Sequence, residues 1–106
     1  MTSKSSITIE AVVLPPIHPG EVLSEELSTI GVSVSAFARA LDVPQSRMAE
    51  IVTGKRGITA DTALRLAAYF GTSARLWLNL QAAYDLATVQ ARDGERITAV
   101  VRSHAA

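Results

Sequence analysis

The chain has no cysteine, few aromatic side chains and no excess of either charge. Its 106 residues include 5% aromatics and ten basic against ten acidic residues. The absence of cysteine excludes disulfides, thiol nucleophiles and thiolate metal ligands, and it suits a reducing compartment such as the cytoplasm. A chain of this length is expected to form one domain that buries a modest core.

Long apolar runs are also missing. None reaches the roughly 20 residues that a membrane-spanning helix requires. The opening stretch MTSKSSITIEAVVL has one lysine, an apolar part interrupted by Glu10 and no A-x-A cleavage site, so it is a poor signal peptide. We therefore expect a cytoplasmic protein with no membrane partner.

Side chains for catalysis or metal binding are scarce and scattered. The two histidines, His18 and His104, have no carboxylate at the spacing that a metal site would require. The sequence contains no G-x-S-x-G motif, and Gly54 and Gly57 fit neither a P-loop nor a dinucleotide fingerprint. We expect no metal, no cofactor and no enzymatic activity.

Five segments instead carry apolar residues at helical spacing, bounded by residues that favour helix ends. Ser33 and Thr59 suit N-caps, and Gly54 stands where a helix end favours a positive φ. Helices joined by short loops predict an all-α bundle. The five helices are expected to begin near Pro19, Ser33, Pro44, Thr59 and Thr72 or Ser73, and to end near Gly31, Asp42, Gly54, Gly71 and Arg92.

The two ends of the chain differ from its middle. Residues 7–14 and 96–102 alternate apolar and polar side chains, which favours short terminal β-strands, and Asp93-Gly94 is expected to break the fifth helix. The predicted organisation is an N-terminal extension over residues 1–14, partly disordered or strand, a helical domain over residues 15–92 and a C-terminal tail over residues 93–106.

The second and third predicted helices are joined by Asp42-Val43-Pro44, the spacing of a helix-turn-helix. In that motif the leading side chains of the later helix reach base edges in the major groove, and neighbouring groups bind phosphates. Polar residues stand at the start of this helix and cations follow its end. The candidate DNA-binding residues are Ser33, Ser35, Gln45, Ser46, Arg47, Thr53, Lys55 and Arg56.

These features also have ordinary structural explanations. Gly54 followed by two cations describes a simple helix end with solvated charges. Glu50 is expected to pair with Arg47 three residues earlier and to be inert, although a carboxylate can also accept a hydrogen bond from cytosine. The distribution of charge favours DNA binding: residues 1–32 carry one basic and four acidic side chains, whereas residues 33–65 carry five and three.

The fifth segment has more apolar surface than a small bundle can cover. Trp77 is expected in the core, but its neighbours cannot all point inward. Surplus apolar surface marks a partner interface, so this helix and the tails are candidate contacts of a homodimer. The apolar residues concerned are Leu76, Trp77, Leu78, Leu80, Leu86 and Val89.

Two linked segments carry a family resemblance: IHPGEVL with EEL at residues 17–27, and FARALDVPQSRMAEIVTGKRGITADTALRLAAYFGTSARLWLNLQAAYDL at residues 37–86. They resemble the HigA-type (VapI-like) antitoxins of the Cro/lambda-repressor (XRE) helix-turn-helix class. The resemblance implies a lambda-repressor-like five-helix domain and a dimeric antitoxin. Such a protein represses its own operon and neutralises a HigB-type toxin, a RelE-like enzyme that cleaves mRNA on the ribosome.

By position, the resemblance assigns base reading to the start of the third helix and phosphate contact to its end. Val34 departs from the wider class, many members of which have a glutamine there that supports base readout. The residues before Pro15 exceed the usual lead of the family. Two other functions stay open: a stand-alone helix-turn-helix repressor without a toxin, and an interaction module that has lost DNA binding.

Overall fold

The computed structural model describes residues 16–104. These residues form five α-helices, and no β-strand occurs among them. The all-α, five-helix prediction is confirmed, whereas the strand predicted at residues 7–14 lies outside the described range. The helices are α1 (Pro19–Ile30), α2 (Val34–Leu41), α3 (Gln45–Val52), α4 (Ala60–Phe70) and α5 (Ala74–Val100).

The helix starts follow the capping residues that the sequence indicates. At α1, His18 Nδ1 accepts a hydrogen bond of 2.8 Å from the Gly20 N–H, and Pro19 occupies the first helical position, where no N–H is needed. At the starts of α2, α4 and α5 a hydroxyl satisfies an N–H that the helix itself leaves unpaired, whereas α3 follows Pro44 and has no side-chain cap. These caps are Ser33 for α2, Thr59 for α4 and Ser73 for α5.

The core lies where α1 to α4 meet the first turns of α5. Trp77 is 4% exposed, which confirms its predicted place, and its indole N–H donates to Thr72 Oγ1 at 2.9 Å. Burying side chains of this size supplies most of the stability of so small a domain. The largest fully buried side chains are Leu23, Phe37, Met48, Ile51 and Leu66.

The start of α1 packs directly against the end of α3. A Cβ placed on Gly20 would overlap the Ile51 carbonyl oxygen, so the two backbones meet with no side chain between them. Gly20 and Ile51 are both buried. This contact holds α3 on its buried side, opposite the exposed polar residues at the start of the helix.

Helix α5 continues beyond the predicted break. It passes through Asp93 and Gly94 to Val100, and the strand predicted over residues 96–102 is wrong, because residues 96–100 are helical and the described residues after them form no strand. A glycine inside a helix costs only about 1 kcal/mol. The Asp93 carboxylate also pairs with Arg92 at 2.8 Å and with Arg96 at 3.6 Å, which supports the helix across that point.

Beyond Gln81, no residue of α5 up to Val100 is buried. Among residues 16–104, no helix combines the length and the apolar character needed to cross a bilayer. The exposed stretch instead keeps several large apolar side chains in contact with solvent. They are Leu86, 68% exposed, Val89, 38%, Ile97, 39%, and Val100, 66%.

Candidate nucleic-acid interface

The turn between α2 and α3 is tightly defined. Asp42 adopts the left-handed conformation, with φ 57°, and is the one residue other than glycine that does so in the described part of the chain. Its N–H bonds the Arg39 carbonyl at 3.1 Å, and the Val43 N–H bonds the Ala38 carbonyl at 3.0 Å. Val43 is buried, so it anchors the turn in the core. The direction of α3 relative to α2 is thereby fixed.

Arg65 of α4 holds the same turn from outside. Its Nη1 donates to the Leu41 carbonyl at 2.9 Å and to the Asp42 carbonyl at 3.3 Å, and its Nε donates to Asp61 Oδ1 at 2.7 Å. The hydrogen bond from Arg65 is the main reason that the pKa of Asp61 lies below its ordinary value, and the charges of Arg65 and Arg47 act in the same direction. No pattern in the sequence indicates these contacts of Arg65.

The leading side chains of α3 point into solvent. Gln45, Ser46 and Arg47 are all exposed, whereas Met48 and Ile51 on the opposite face are completely buried. No side chain within residues 16–104 hydrogen bonds to the side chains of these three residues. A helix start with free amide, hydroxyl and guanidinium groups can bond base edges without first breaking internal contacts.

The serines predicted at the start of α2 each have an internal partner. Ser33 Oγ accepts from the Ala36 N–H at 3.1 Å as the helix cap, and Ser35 Oγ accepts from Arg39 Nη1 at 3.0 Å. Both hydroxyls keep a hydrogen to donate. The pairing with Ser35 also brings Arg39, which the sequence did not single out, to the first turns of α2.

The segment that follows α3 reverses the chain within a few residues. Gly54 has φ 82°, a left-handed conformation that glycine adopts without steric cost. The N–H groups of Lys55 and Arg56 then bond the Glu50 carbonyl at 2.8 and 3.2 Å. Thr53 Oγ1 donates to the Ala49 carbonyl at 2.8 Å, so its hydroxyl hydrogen is already in use. Lys55 is exposed.

Glu50 pairs with a different arginine from the one predicted. Its Oε1 lies 2.8 Å from Arg56 Nε, with about half of each side chain exposed, and the predicted pair with Arg47 is wrong. The reversal at Gly54 brings Arg56 back beside the last turn of α3, a proximity that helical spacing alone does not indicate. Among residues 16–104, Arg47 thus has no ion-pair partner, whereas Arg56 is held by a carboxylate.

A short helix, a fixed turn and a second short helix with exposed polar leading residues define a helix-turn-helix protein. The helix-turn-helix family model matches residues 30–77. Virulence-associated protein I of Dichelobacter nodosus is 53% identical over 89 residues, which cover 83% of this chain and 82% of that protein.

Solved structures agree with this assignment. An addiction module antidote protein of a HigA family from Coxiella burnetii is 46% identical with a TM-score of 0.82, covering 86% of this chain and 100% of its own. The Pseudomonas aeruginosa antitoxin HigA, solved with the higBA promoter, is 46% identical with a TM-score of 0.81, covering 85% and 99%. The chain belongs to the HigA family of helix-turn-helix antitoxins, as its sequence motifs indicate.

Proposed function

We propose that this chain is the antitoxin of a type II toxin–antitoxin module. It binds the operator of its own operon through α3, and it neutralises a HigB-type mRNA-cleaving toxin encoded beside it. The observation that carries the proposal is the free, exposed group Gln45-Ser46-Arg47 on a helix held rigidly by the α2–α3 turn. A related antitoxin has been solved with promoter DNA. Such a protein acts in the cytoplasm, where operator and mRNA are found.

Six of the eight candidate residues have a role that their chemistry supports, whereas Thr53 and Arg56 are held by internal partners. Gln45 can bond adenine through two hydrogen bonds, and Arg47 can bond guanine in the same way. Ser46 can bond either a base edge or a phosphate. Lys55 supplies a free cation at the other end of α3, where it neutralises a phosphate without reading sequence. The hydroxyls of Ser33 and Ser35 can donate to phosphate oxygens near the start of α2.

A homodimer completes this proposal. The apolar side chains that α5 leaves exposed beyond Gln81 make a surface that a second copy of the chain can cover. A two-fold axis would place the two α3 helices in successive major grooves, about 34 Å apart. The operator is then expected to be a pseudo-palindrome whose half-sites are one helical turn apart.

Two experiments test the proposal: one uses the promoter of the gene that encodes this chain, and the other uses the product of the adjacent gene. A footprint should show protection of two half-sites by the purified protein, and the adjacent gene product should co-purify with it and lose its mRNA cleavage. Protection without any adjacent toxin gene would identify a stand-alone repressor instead. If no promoter fragment is bound at low salt, the assignment of α3 to DNA binding is wrong.

The Glu50–Arg56 pair leads to a prediction about affinity. Glu50→Gln removes a negative charge near the phosphates and releases Arg56, so operator affinity should rise roughly twofold to fivefold. The salt dependence should steepen by about one unit, because one more cation displaces a counterion. Binding is measured by fluorescence anisotropy at several salt concentrations. Glu25→Gln on exposed α1 is the matched control and should change neither quantity.

A further inference from the structure

A buried amide of α5 holds the loop that carries the two cations. Gln81 is 9% exposed, and its Oε1 accepts a hydrogen bond of 2.8 Å from the Ile58 N–H, 23 residues earlier in the chain. Its Nε2 donates to Asp85 Oδ1 at 2.9 Å. The orientation of the amide is unambiguous, because a backbone N–H can only donate and a carboxylate can only accept.

The loop between α3 and α4 is thus fixed at two points. Its first part is tied to α3 by the Lys55 and Arg56 N–H groups on the Glu50 carbonyl. Its second part is tied to α5 through Ile58, whose side chain is also buried. Between these points lies Gly57, where a Cβ would come within 3.1 Å of Gln81 Cδ. A glycine therefore lets the loop approach the amide closely.

We propose that Gln81 is a positioning residue for DNA binding, which holds the loop so that Lys55 faces the phosphates, and that Asp85 orients the Gln81 amide. This inference rests on the proposed function. Gln81 itself touches no DNA. Losing its amide would leave a buried N–H without a partner and free the loop to move, so binding would have to order the loop again.

The first test separates phosphate contact from base reading. Gln81→Ala should lower operator affinity about tenfold and make its salt dependence shallower by about one unit, because Lys55 is no longer held in place. The preference for the operator over a duplex altered in one half-site should persist, since α3 keeps its leading residues. Asn79→Ala, an exposed amide on the same helix, is the control and should bind as the wild type does.

The second test exchanges the amide of Gln81 and the carboxylate of Asp85 between the two positions. Gln81→Glu keeps an acceptor for the Ile58 N–H but places a second carboxylate beside Asp85, so binding should weaken. Adding Asp85→Asn restores a donor to the introduced carboxylate and returns the net charge to that of the wild type. The double variant should therefore regain operator affinity to within about twofold and regain the original salt dependence.

Amide hydrogen exchange gives a readout that needs no DNA. The Ile58 N–H should exchange faster in Gln81→Ala than in the wild type, and at the wild-type rate in the double variant. Wild-type affinity and salt dependence in folded Gln81→Ala would overturn the inference. If that variant is unfolded by circular dichroism, a folded double variant that still fails to bind overturns it equally. Wild-type protein that binds no promoter contradicts the proposed function instead.

Discussion

Replacing Gly20 with alanine should lower the free energy of unfolding by about 3 kcal/mol. The new methyl group would overlap the Ile51 carbonyl oxygen, and backbone atoms cannot turn aside as a side chain can. The start of α1 would have to move away from α3 and would open the core around Met48 and Leu23. Urea unfolding followed by circular dichroism measures the change.

Gly94→Ala is the matched control, because it makes the same substitution in another helix. Its Cβ would meet only the Gln90 side chain, 3.3 Å from Cγ, and that exposed side chain can rotate away. Helix propensity then favours alanine by about 1 kcal/mol, so α5 should become more stable. Equal unfolding midpoints for Gly20→Ala and the wild type would contradict the close backbone contact between α1 and α3.

Arg47→Ala should weaken operator binding by about 2 kcal/mol, or roughly thirtyfold. Arg47 is exposed at the start of α3, where a guanidinium reaches base edges. The loss should be concentrated at one base pair of each half-site, so that operators differing there are bound equally by the variant. Affinities for a set of operators with single substitutions, measured at one salt concentration, test this expectation.

Lys55→Ala provides the contrasting control, because it is expected to remove a phosphate contact only. Binding to every duplex should weaken by a similar factor, and the salt dependence should become shallower by about one unit. A change in base preference with Lys55→Ala would contradict its role as a phosphate contact. An unchanged base preference with Arg47→Ala would contradict its role in base reading. If a variant that combines Arg47→Ala with Lys55→Ala shifts its promoter fragment as the wild type does, the α3 assignment is wrong.

Features that depend on neighbouring residues could be predicted from the sequence. Ser33 and Thr59 cap their helices as predicted, because a cap acts on an N–H only three residues ahead. His18 caps α1 through an equally local contact, with the Gly20 N–H two residues ahead. Met48 and Ile51 are at helical spacing and are both buried, which leaves the polar residues at the start of α3 on the exposed face.

Features that depend on the path of the chain could not be predicted. Helical spacing predicts a pair between Glu50 and Arg47, but the reversal at Gly54 brings Arg56 within 2.8 Å of Glu50 instead. The bonds from Arg65 to the α2 end span 24 and 23 residues, and the bond from Ile58 to Gln81 spans 23. No local sequence pattern indicates contacts between residues so far apart along the chain.

The end of α5 shows a different limit. Asp93-Gly94 is a frequent stop signal, and the alternation in residues 96–102 suited a strand. A single glycine is too weak to end a helix when an ion pair spans it, as the Asp93–Arg96 pair does across Gly94. Ile97 and Val100 are three residues apart, which places them on one face of a helix but on opposite faces of a strand.

The 27-residue helix α5 has no buried residue after Gln81, so its outer turns obtain almost nothing from the core. Helical stability in proteins comes mostly from the packing of an apolar face, which these turns lack within one copy of the chain. Dilution that separates two copies should therefore unwind these turns, and association should rewind them. The ellipticity per residue is then a measure of assembly, rising with protein concentration until the outer turns are fully wound.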